Sequence, residues 1–255
     1  MTPKQEGRVY TVTGAASGIG RATAVKLAEL GAAGIAISDV NENGLKETKA
    51  LCDKFGTKIT VSRVDVSNDE EVKEWVNSTV RTFGRLDGCA NVAGIAGGDG
   101  NTTTETIEQR DWDRMIGVNL SGVMYCMRAQ LPHLPKPGGS IVNVASTAGI
   151  HGLPKSAAYS SSKHGVIGLT ASAAGEYGRA GVRINALLPG PIDTRIFRDG
   201  EEKGLFSADV MGGATLLGRM GKAEEVANVL CFLLSDEASY VTGAQWTVDG
   251  GYTAC

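Results

Sequence analysis

Apolar and polar positions follow two different periods along the chain. Short apolar and β-branched runs such as RVYTVTG and GIAISDV are followed by longer segments, such as RATAVKLAELG, whose apolar residues recur every three to four positions. The first pattern is typical of buried strands and the second of amphipathic helices. Strands that alternate with helices predict βαβ units, which build a parallel sheet. We therefore predict an α/β fold, a single domain over residues 1–255 with a doubly wound parallel sheet of about seven strands and helices on both faces.

The same alternation continues to the end of the chain. Helices are predicted in NENGLKETKALCDKFG, in SNDEEVKEWVNSTVRTFG, through DWDRMIGVNLSGVMYCMRAQLPHL, from near Ala157, and in KAEEVANVLCFLLS. A capping box from Ser67 to Glu70 is predicted to open the second of these. Two segments rich in glycine, 95–106 and 191–221, match neither pattern. Long connections of this kind are often functional, so we expect both to border a binding site.

Charge and composition narrow the classes of partner. The net charge is -3 with acids and bases interspersed, which offers no basic face to nucleic acid and no polybasic anchor to lipid. Apolar residues never run for the ~18 positions that a membrane span needs, so a cytoplasmic protein with a small-molecule partner is expected. The five cysteines show no metal-ligand spacing, so no metal site is expected, and their odd number argues against a disulfide framework and predicts reduced thiols.

The turn after the first strand reads TGAASGIG and leaves the backbone bare at Gly14, Gly18 and Gly20. Such a turn lets a pyrophosphate reach the amides at the start of the next helix. A tight turn that binds no ligand would have the same sequence pattern. Asp39 ends the second strand 19 residues after Gly20, close to the ~20 at which an acid receives the ribose hydroxyls of NAD. The pattern favours NAD(H) over NADP(H). The alternative for Asp39 is an N-cap of the following helix.

An ordered set of short motifs spans nearly the whole chain. TGAASGIG, Asp39, DV at 65–66, NVAG at 91–94, GVNLSG around Asn119, NVAST around Ser146, YSSSK from Tyr159, LLPGPIDT and VDGG follow one another. In this order they resemble the classical short-chain dehydrogenase/reductase family, which has a Rossmann-type fold. Val92, where many members have a second asparagine, is one small departure.

The resemblance implies a catalytic set of Ser146, Tyr159, Lys163 and Asn119. Tyr159 would act as general acid or base, Ser146 would hold the substrate oxygen, Lys163 would grip the nicotinamide ribose, and Asn119 would support a proton relay through water. An ammonium ~4 Å from the phenol supplies about 4 kcal/mol in gross Coulomb energy, which is what lowering a tyrosine pKa from 10 toward 7 requires. Desolvation opposes this effect, so Lys163 alone is expected to be marginal.

The family also implies where the cofactor would lie, along the motifs at the carboxyl ends of the strands. The residues expected to contact it are Gly14, Ser17, Gly18, Ile19, Gly20, Asp39, Asp65, Val66, Asn91, Ala93, Gly94, Tyr159, Lys163, Pro189, Gly190, Ile192 and Thr194.

A largely apolar cavity with few fixed charges is expected for the substrate, lined by Ile95, His151, Leu153, Phe197, Leu205 and Phe206. Together with the activity that the resemblance implies, this lining predicts hydride transfer between NAD(H) and a cyclic or otherwise hydrophobic ketone or secondary alcohol. A non-redox step such as cyclisation, epimerisation or elimination, an NADP(H)-dependent reduction, and a non-catalytic nucleotide sensor are the alternatives. The resemblance further implies a homotetramer, or at least a dimer, that assembles through the last helix and strand.

Overall fold

The computed structural model describes residues 5–96, 101–202, 204 and 206–254. In this part of the chain seven strands form one parallel sheet in the order β3-β2-β1-β4-β5-β6-β9. A separate parallel pair joins β7 to β8. The strands are β1 (Val9–Thr13), β2 (Gly34–Asp39), β3 (Lys58–Arg63), β4 (Gly88–Asn91), β5 (Ser140–Val144), β6 (Arg183–Pro189), β7 (Ile192–Asp193), β8 (Gly221–Lys222) and β9 (Gln245–Val248).

Helices cover both faces of the sheet, which confirms the predicted architecture. One apolar core lies under the first and last helices, and the other under the third, fifth and sixth. The helices are α1 (Gly18–Glu29), α2 (Glu42–Cys52), α3 (Asp69–Phe83), α4 (Gln109–Ile116), α5 (Gly122–Gln130), α6 (Ala157–Tyr177), α7 (Arg195–Glu202), α8 (Ala208–Gly213) and α9 (Ala223–Leu234). Along these described residues, no helix has both the length and the apolarity to cross a bilayer.

The order of the strands fixes where a ligand can bind. The chain runs outward from β1 through β2 to β3 and then returns to the other side of β1 with β4. The connections on the two sides of this point diverge and leave a crevice at the carboxyl ends of the strands. Thr13, Asp39, Asn91 and Ser146, at or just after the ends of four neighbouring strands, all lie along that edge.

Several local predictions need correction. The N-cap of α3 is Asn68, whose Oδ1 accepts from the amides of Glu70 and Glu71. The predicted cap, Ser67, instead donates its hydroxyl to Asp65 Oδ1 at 2.6 Å, because that carboxylate is a stronger acceptor than water. The long helix predicted over 111–134 is interrupted by a π-helical turn at Gly117–Ser121 between α4 and α5.

The segment 191–221 has more regular structure than its composition indicates. It contains α7 and α8, and the strands β7 and β8 pair at its two ends, Ile192 with Gly221 and Asp193 with Lys222. This pairing joins the two ends of the segment, so the predicted loop is a small unit of regular structure. Cys52, Cys89, Cys126 and Cys231 are free and buried, and Cys255 lies outside the described residues.

Candidate active site

The turn from β1 to α1 forms an open cradle of backbone. Gly14 has φ +67°, and a Cβ there would lie 2.8 Å from the Ala93 backbone. Gly18 has φ +52° and faces Thr194, whose Cβ would be 3.4 Å from an added Cβ. Ser17 is the N-cap of α1 in an extended conformation, and its side chain makes no capping hydrogen bond. The first amides of α1 are therefore left for an anion, and the cradle fits a dinucleotide diphosphate.

Replacing Gly14 with alanine is expected to destabilise the fold by about 2–3 kcal/mol, since the new methyl adds a clash with the Ala93 backbone to left-handed strain. The matched control is Gly7→Ala. Gly7 has φ +76° with nothing within 4 Å of the added Cβ, so only the strain of about 1 kcal/mol applies. Urea unfolding of both variants measures the difference. Equal losses would show that Gly14 is not in close contact with Ala93.

Asp39 lies beside this cradle and is anchored by two backbone amides. Its Oδ2 accepts from Ala16 N at 3.1 Å and its Oδ1 from Asn41 N at 3.0 Å. The N-cap of α2 is Asn41, which accepts from Gly44 N at 3.1 Å. The alternative role of Asp39 as a helix cap is therefore wrong. Each carboxylate oxygen has a second lone pair with which to accept a hydroxyl.

The other predicted cofactor residues lie along the same edge. Asp65 Oδ1 accepts hydrogen bonds from the amide and the hydroxyl of Ser67. Val66 is buried and packs against Gly122. The amides of Val92 and Ala93 both donate to Thr13 Oγ1 at 3.0 Å. These two bonds fix the ends of β1 and β4 to each other.

Gly94 lies close to two catalytic candidates, because a Cβ there would be 3.2 Å from Asn119 Oδ1 and 3.4 Å from Lys163 Nζ. On the far side of the crevice, Pro189 and Ile192 are buried, and Gly190 packs on Asp249. The remaining candidates, Ile19 and Gly20, lie in the first turn of α1.

Asn91 has a different environment from the one expected. Its side chain belongs to a buried polar network that crosses the sheet below the crevice, where it donates to Asn143 Oδ1 at 2.9 Å and accepts from Gln130 Nε2 at 2.9 Å. Asn143 donates onward to Thr170 Oγ1 at 3.0 Å, and Gln130 to Thr11 Oγ1 at 3.3 Å. With its side chain occupied in this way, Asn91 offers a cofactor only its backbone. We call Thr11, Asn91, Gln130, Asn143 and Thr170 the buried polar network.

Tyr159 and Lys163 lie one turn apart near the start of α6, as their spacing predicts. Lys163 is buried; its Nζ donates to Val144 O at 2.9 Å and lies 5.7 Å from the centre of the Tyr159 ring. Ser146 follows β5 in an extended conformation, and its Oγ accepts from Ala148 N at 3.1 Å. The hydroxyl proton of Ser146 can thus donate to the Tyr159 oxygen or to a substrate oxygen.

Burial dominates the ionisation of both groups. It raises the pKa of the Tyr159 phenol, with the Ser146 hydroxyl offsetting part of the shift. Burial also lowers the pKa of the Lys163 ammonium from 10.5 to about 8. This agrees with the expectation that Lys163 alone is marginal, because desolvation is the dominant influence on the phenol pKa. The phenol is protonated at neutral pH, the state that a general acid needs.

Asn119 lies in the π-helical turn and is fully buried. Its Oδ1 accepts from Ile95 N at 2.8 Å, and its Nδ2 donates to Ile95 O at 2.9 Å and to Ser162 Oγ at 3.2 Å. Both ends of the amide are occupied, so the side chain anchors the segment after β4. A proton relay at this position would use the backbone of the turn.

The serines between Tyr159 and Lys163 have structural roles that the sequence does not reveal. Ser162 Oγ donates to Tyr159 O at 2.7 Å while it accepts from Asn119, so it links α6 to the π-helical turn. Ser160 Oγ accepts from Leu153 N at 3.1 Å and attaches the segment after Ser146 to the same helix. These two bonds hold both walls of the cleft on either side of the phenol.

A cavity of about 600 Å³ opens beside Tyr159. Of the described residues predicted to line a substrate site, only Ile95 borders this cavity. Met115 and Ala158, which are not among the predicted residues, border it as well. Its other wall is charged, contrary to the expectation of few fixed charges. The charged residues are Glu108, Arg110, Asp111, Arg114 and Lys155.

The other described residues predicted to line the substrate site do not border this cavity. Phe197 is buried and its ring lies 4.5 Å from that of Phe206, because the two aromatic side chains close the core of the 191–221 segment. The ring of His151 is 6.0 Å from that of Tyr252. Leu153 is half-buried at the turn that Ser160 holds, and Leu205 lies outside the described residues. A second cavity of about 820 Å³ behind α1 reaches Gly18 and Thr194 but not the catalytic set.

Comparison with known proteins places this geometry in a family. A profile of the family described as enoyl-(acyl carrier protein) reductase matches residues 14–253. The short-chain dehydrogenase/reductase ABA4 of Pyricularia oryzae is 42% identical over 249 residues, which cover 96% of this chain and 92% of that protein. Cyclohexanol dehydrogenase of Acinetobacter sp. (strain SE19) is 40% identical over 255 residues, covering 100% of this chain and 98% of the relative.

A solved structure agrees with these relatives. The crystal structure of a levodione reductase superposes with a TM-score of 0.94 at 36% identity, over 99% of this chain and 100% of that one. Full-length similarity at this level, together with the ordered motifs at the carboxyl edge of the sheet, establishes common descent. This chain belongs to the short-chain dehydrogenase/reductase family and is an NAD(P)-dependent oxidoreductase.

Proposed function

We propose that this protein transfers a hydride between NAD(H) and a ketone or secondary alcohol on a largely apolar, cyclic small molecule. The observation that carries the proposal is the placement of Ser146, Tyr159 and Lys163 around one point at the end of β5. Lys163 is held by the carbonyl of Val144, two residues before Ser146, so strand and helix bring the three groups together.

The nicotinamide would supply or accept the hydride, and the residues of the chain would handle the proton. In reduction, Ser146 and Tyr159 both donate hydrogen bonds to the carbonyl oxygen. As negative charge develops there, the phenol proton moves to that oxygen and completes the alcohol. Buried Lys163 stabilises the phenolate that remains. In oxidation the same atoms act in reverse order, and Tyr159 takes the hydroxyl proton.

The choice of NAD(H) rests on Asp39. A ribose hydroxyl can donate to this carboxylate, whereas a 2′-phosphate would bring like charge to it. Arg21, a cation near the same turn, is engaged by Glu47 at 2.7 Å and by Thr48 Oγ1 at 3.1 Å. Its charge is thereby partly neutralised and directed toward α2.

The choice of a cyclic substrate rests on the relatives and on the apolar wall of the cavity. Two full-length relatives are named for cyclohexanol and for levodione. Ile95, Met115 and Ala158 give the cavity beside Tyr159 one apolar wall on which a ring could pack. The volume of about 600 Å³ is sufficient for a small cyclic molecule.

Comparison of the two nucleotides tests the cofactor assignment. With cyclohexanone as substrate, kcat/KM is expected to be about tenfold or more higher with NADH than with NADPH. Asp39→Asn keeps an acceptor oxygen and removes the charge, so it should raise kcat/KM for NADPH about tenfold relative to NADH. Higher wild-type activity with NADPH, or an unchanged ratio in Asp39→Asn, would contradict the assignment.

We also propose that the protein is a homo-oligomer, a tetramer or a dimer, assembled through α9 and β9. Trp246 in β9 is 38% exposed, with its ring 5.7 Å from that of Phe232 in α9. A partly exposed aromatic pair at a sheet edge favours burial against a second copy. Sedimentation of the purified protein would measure the assembly.

A further inference from the structure

A turn next to the catalytic helix carries a residue that its geometry disfavours. Leu153–Ser156 is closed by a bond from Ser156 N to Leu153 O at 3.1 Å, with Pro154 in the second position. Lys155, in the third position, has φ +64°, and it is the sole non-glycine residue of the described chain with positive φ. Proline in the second position and positive φ in the third define a type II turn, whose third position strongly favours glycine.

The turn is held firmly against the catalytic helix. Ser160 Oγ accepts from Leu153 N at 3.1 Å, so the base of the turn is attached one residue after Tyr159. Lys155 is exposed and borders the same cavity as Tyr159. A strained residue that persists in a well-held turn beside a catalytic group points to a function for its side chain.

Among the described residues that line the cavity, positive and negative charges do not balance. Arg110 is paired with Glu108 at 3.0 Å and lies 3.8 Å from Asp111, so the two acids are committed to one cation. Arg114 and Lys155, which border the same cavity, have no carboxylate within salt-bridge distance among the residues that the structure describes. The described lining residues therefore carry an excess of one positive charge, which a single carboxylate would balance.

We propose that Lys155 and Arg114 bind a carboxylate at the end of the substrate opposite its reacting carbonyl. The inference rests on the proposed function and narrows its substrate class to a cyclic ketone or alcohol that carries a carboxylate. The ring packs on the apolar wall formed by Ile95 and Met115, while the two cations hold the acid at the charged wall. A doubly charged phosphate would exceed the charge that this wall offers.

The test compares 4-oxocyclohexanecarboxylate with its uncharged analogue 4-methylcyclohexanone, using NADH. Lys155→Gly suits the turn and is expected to keep or raise the thermal midpoint. It should nevertheless lower the ratio of kcat/KM for the keto acid to that for the neutral ketone about fivefold. Lys155→Arg should restore the ratio, and Lys155→Gly combined with Arg114→Gln should lower it about tenfold or more. An unchanged ratio in both the single and the double variant would overturn the inference.

A binding measurement separates this site from the proposed reaction. Cyclohexanecarboxylate, which has no carbonyl to reduce, is titrated calorimetrically into enzyme saturated with NADH. Binding that weakens about fivefold or more in Lys155→Gly and recovers in Lys155→Arg supports the site, even if neither ketone is turned over and the proposed function fails. Turnover of 4-methylcyclohexanone without detectable binding of the carboxylate overturns the site and leaves the function standing. Tighter binding of inorganic phosphate than of the carboxylate would overturn the choice of ligand.

Discussion

Replacing Tyr159 with phenylalanine is expected to lower kcat about 10³-fold while leaving the dissociation constant of NADH within about twofold of the wild-type value. The phenol is the proton donor to the substrate oxygen, and Ser146 donates a hydrogen bond but cannot supply the proton at neutral pH. The ring itself remains, so the packing of the half-buried side chain at position 159 is kept. Steady-state turnover of cyclohexanone and NADH fluorescence titration measure the two quantities.

Tyr177→Phe is the matched control, since it removes a phenol oxygen from the last turn of the same helix, far along the chain from the catalytic pair. It is expected to retain full activity. If Tyr159→Phe kept more than about a tenth of the wild-type kcat, another group would have to be the proton donor. The catalytic assignment would then be wrong even with the family established.

Lys163→Met is expected to lower kcat/KM at least about 10²-fold and, at neutral pH, to make the protein more stable. Burial lowers the pKa of this ammonium to about 8, which means that holding it charged in the folded protein is costly. The shift from 10.5 corresponds to about 3 kcal/mol, which methionine, an apolar side chain of similar length, does not incur. Activity and stability should therefore move in opposite directions.

The stability difference should depend on pH with a definite sign. Between pH 8 and 10.5 the unfolded wild-type chain binds the lysine proton more strongly than the folded protein does, so wild-type stability rises with pH across this window. Lys163→Met lacks this contribution. Its advantage is expected in full below about pH 8 and should vanish near pH 10.5. Urea unfolding of both proteins at pH 7 and pH 10.5 would show it, and an advantage that persisted at pH 10.5 would contradict burial as its cause.

Periodicity and motif order predicted most of the fold. The predicted strand runs RVYTVTG and GIAISDV contain β1 (VYTVT) and β2 (GIAISD), because a parallel strand buried on both faces requires a continuous apolar run. The cap of α3 was mispredicted because Ser67 and Asn68 are both good caps and Asp65 lies two residues before the serine. Sequence alone does not show which of two neighbouring side chains a nearby carboxylate will engage.

The site was predictable where single residues in regular elements carry it, as with Tyr159 and Lys163 on α6. It was less predictable where tertiary packing decides the outcome. Phe197 and Phe206 lie nine residues apart in a segment without a clear hydrophobic period, and their rings pack against each other in a small core. The charged wall of the cavity comes from α4 and from the turn at Lys155, two parts of the chain that only the fold brings together.

The buried polar network also affects how the catalytic centre could be altered or transplanted. Thr11, Asn91, Gln130, Asn143 and Thr170 come from three strands and two helices, and each is at most 1% exposed. Every member completes the hydrogen bonding of another, so no single member can become apolar without leaving a partner unsatisfied. Recombination between related enzymes should therefore succeed only when all five are inherited from one parent, even though they are scattered over most of the chain.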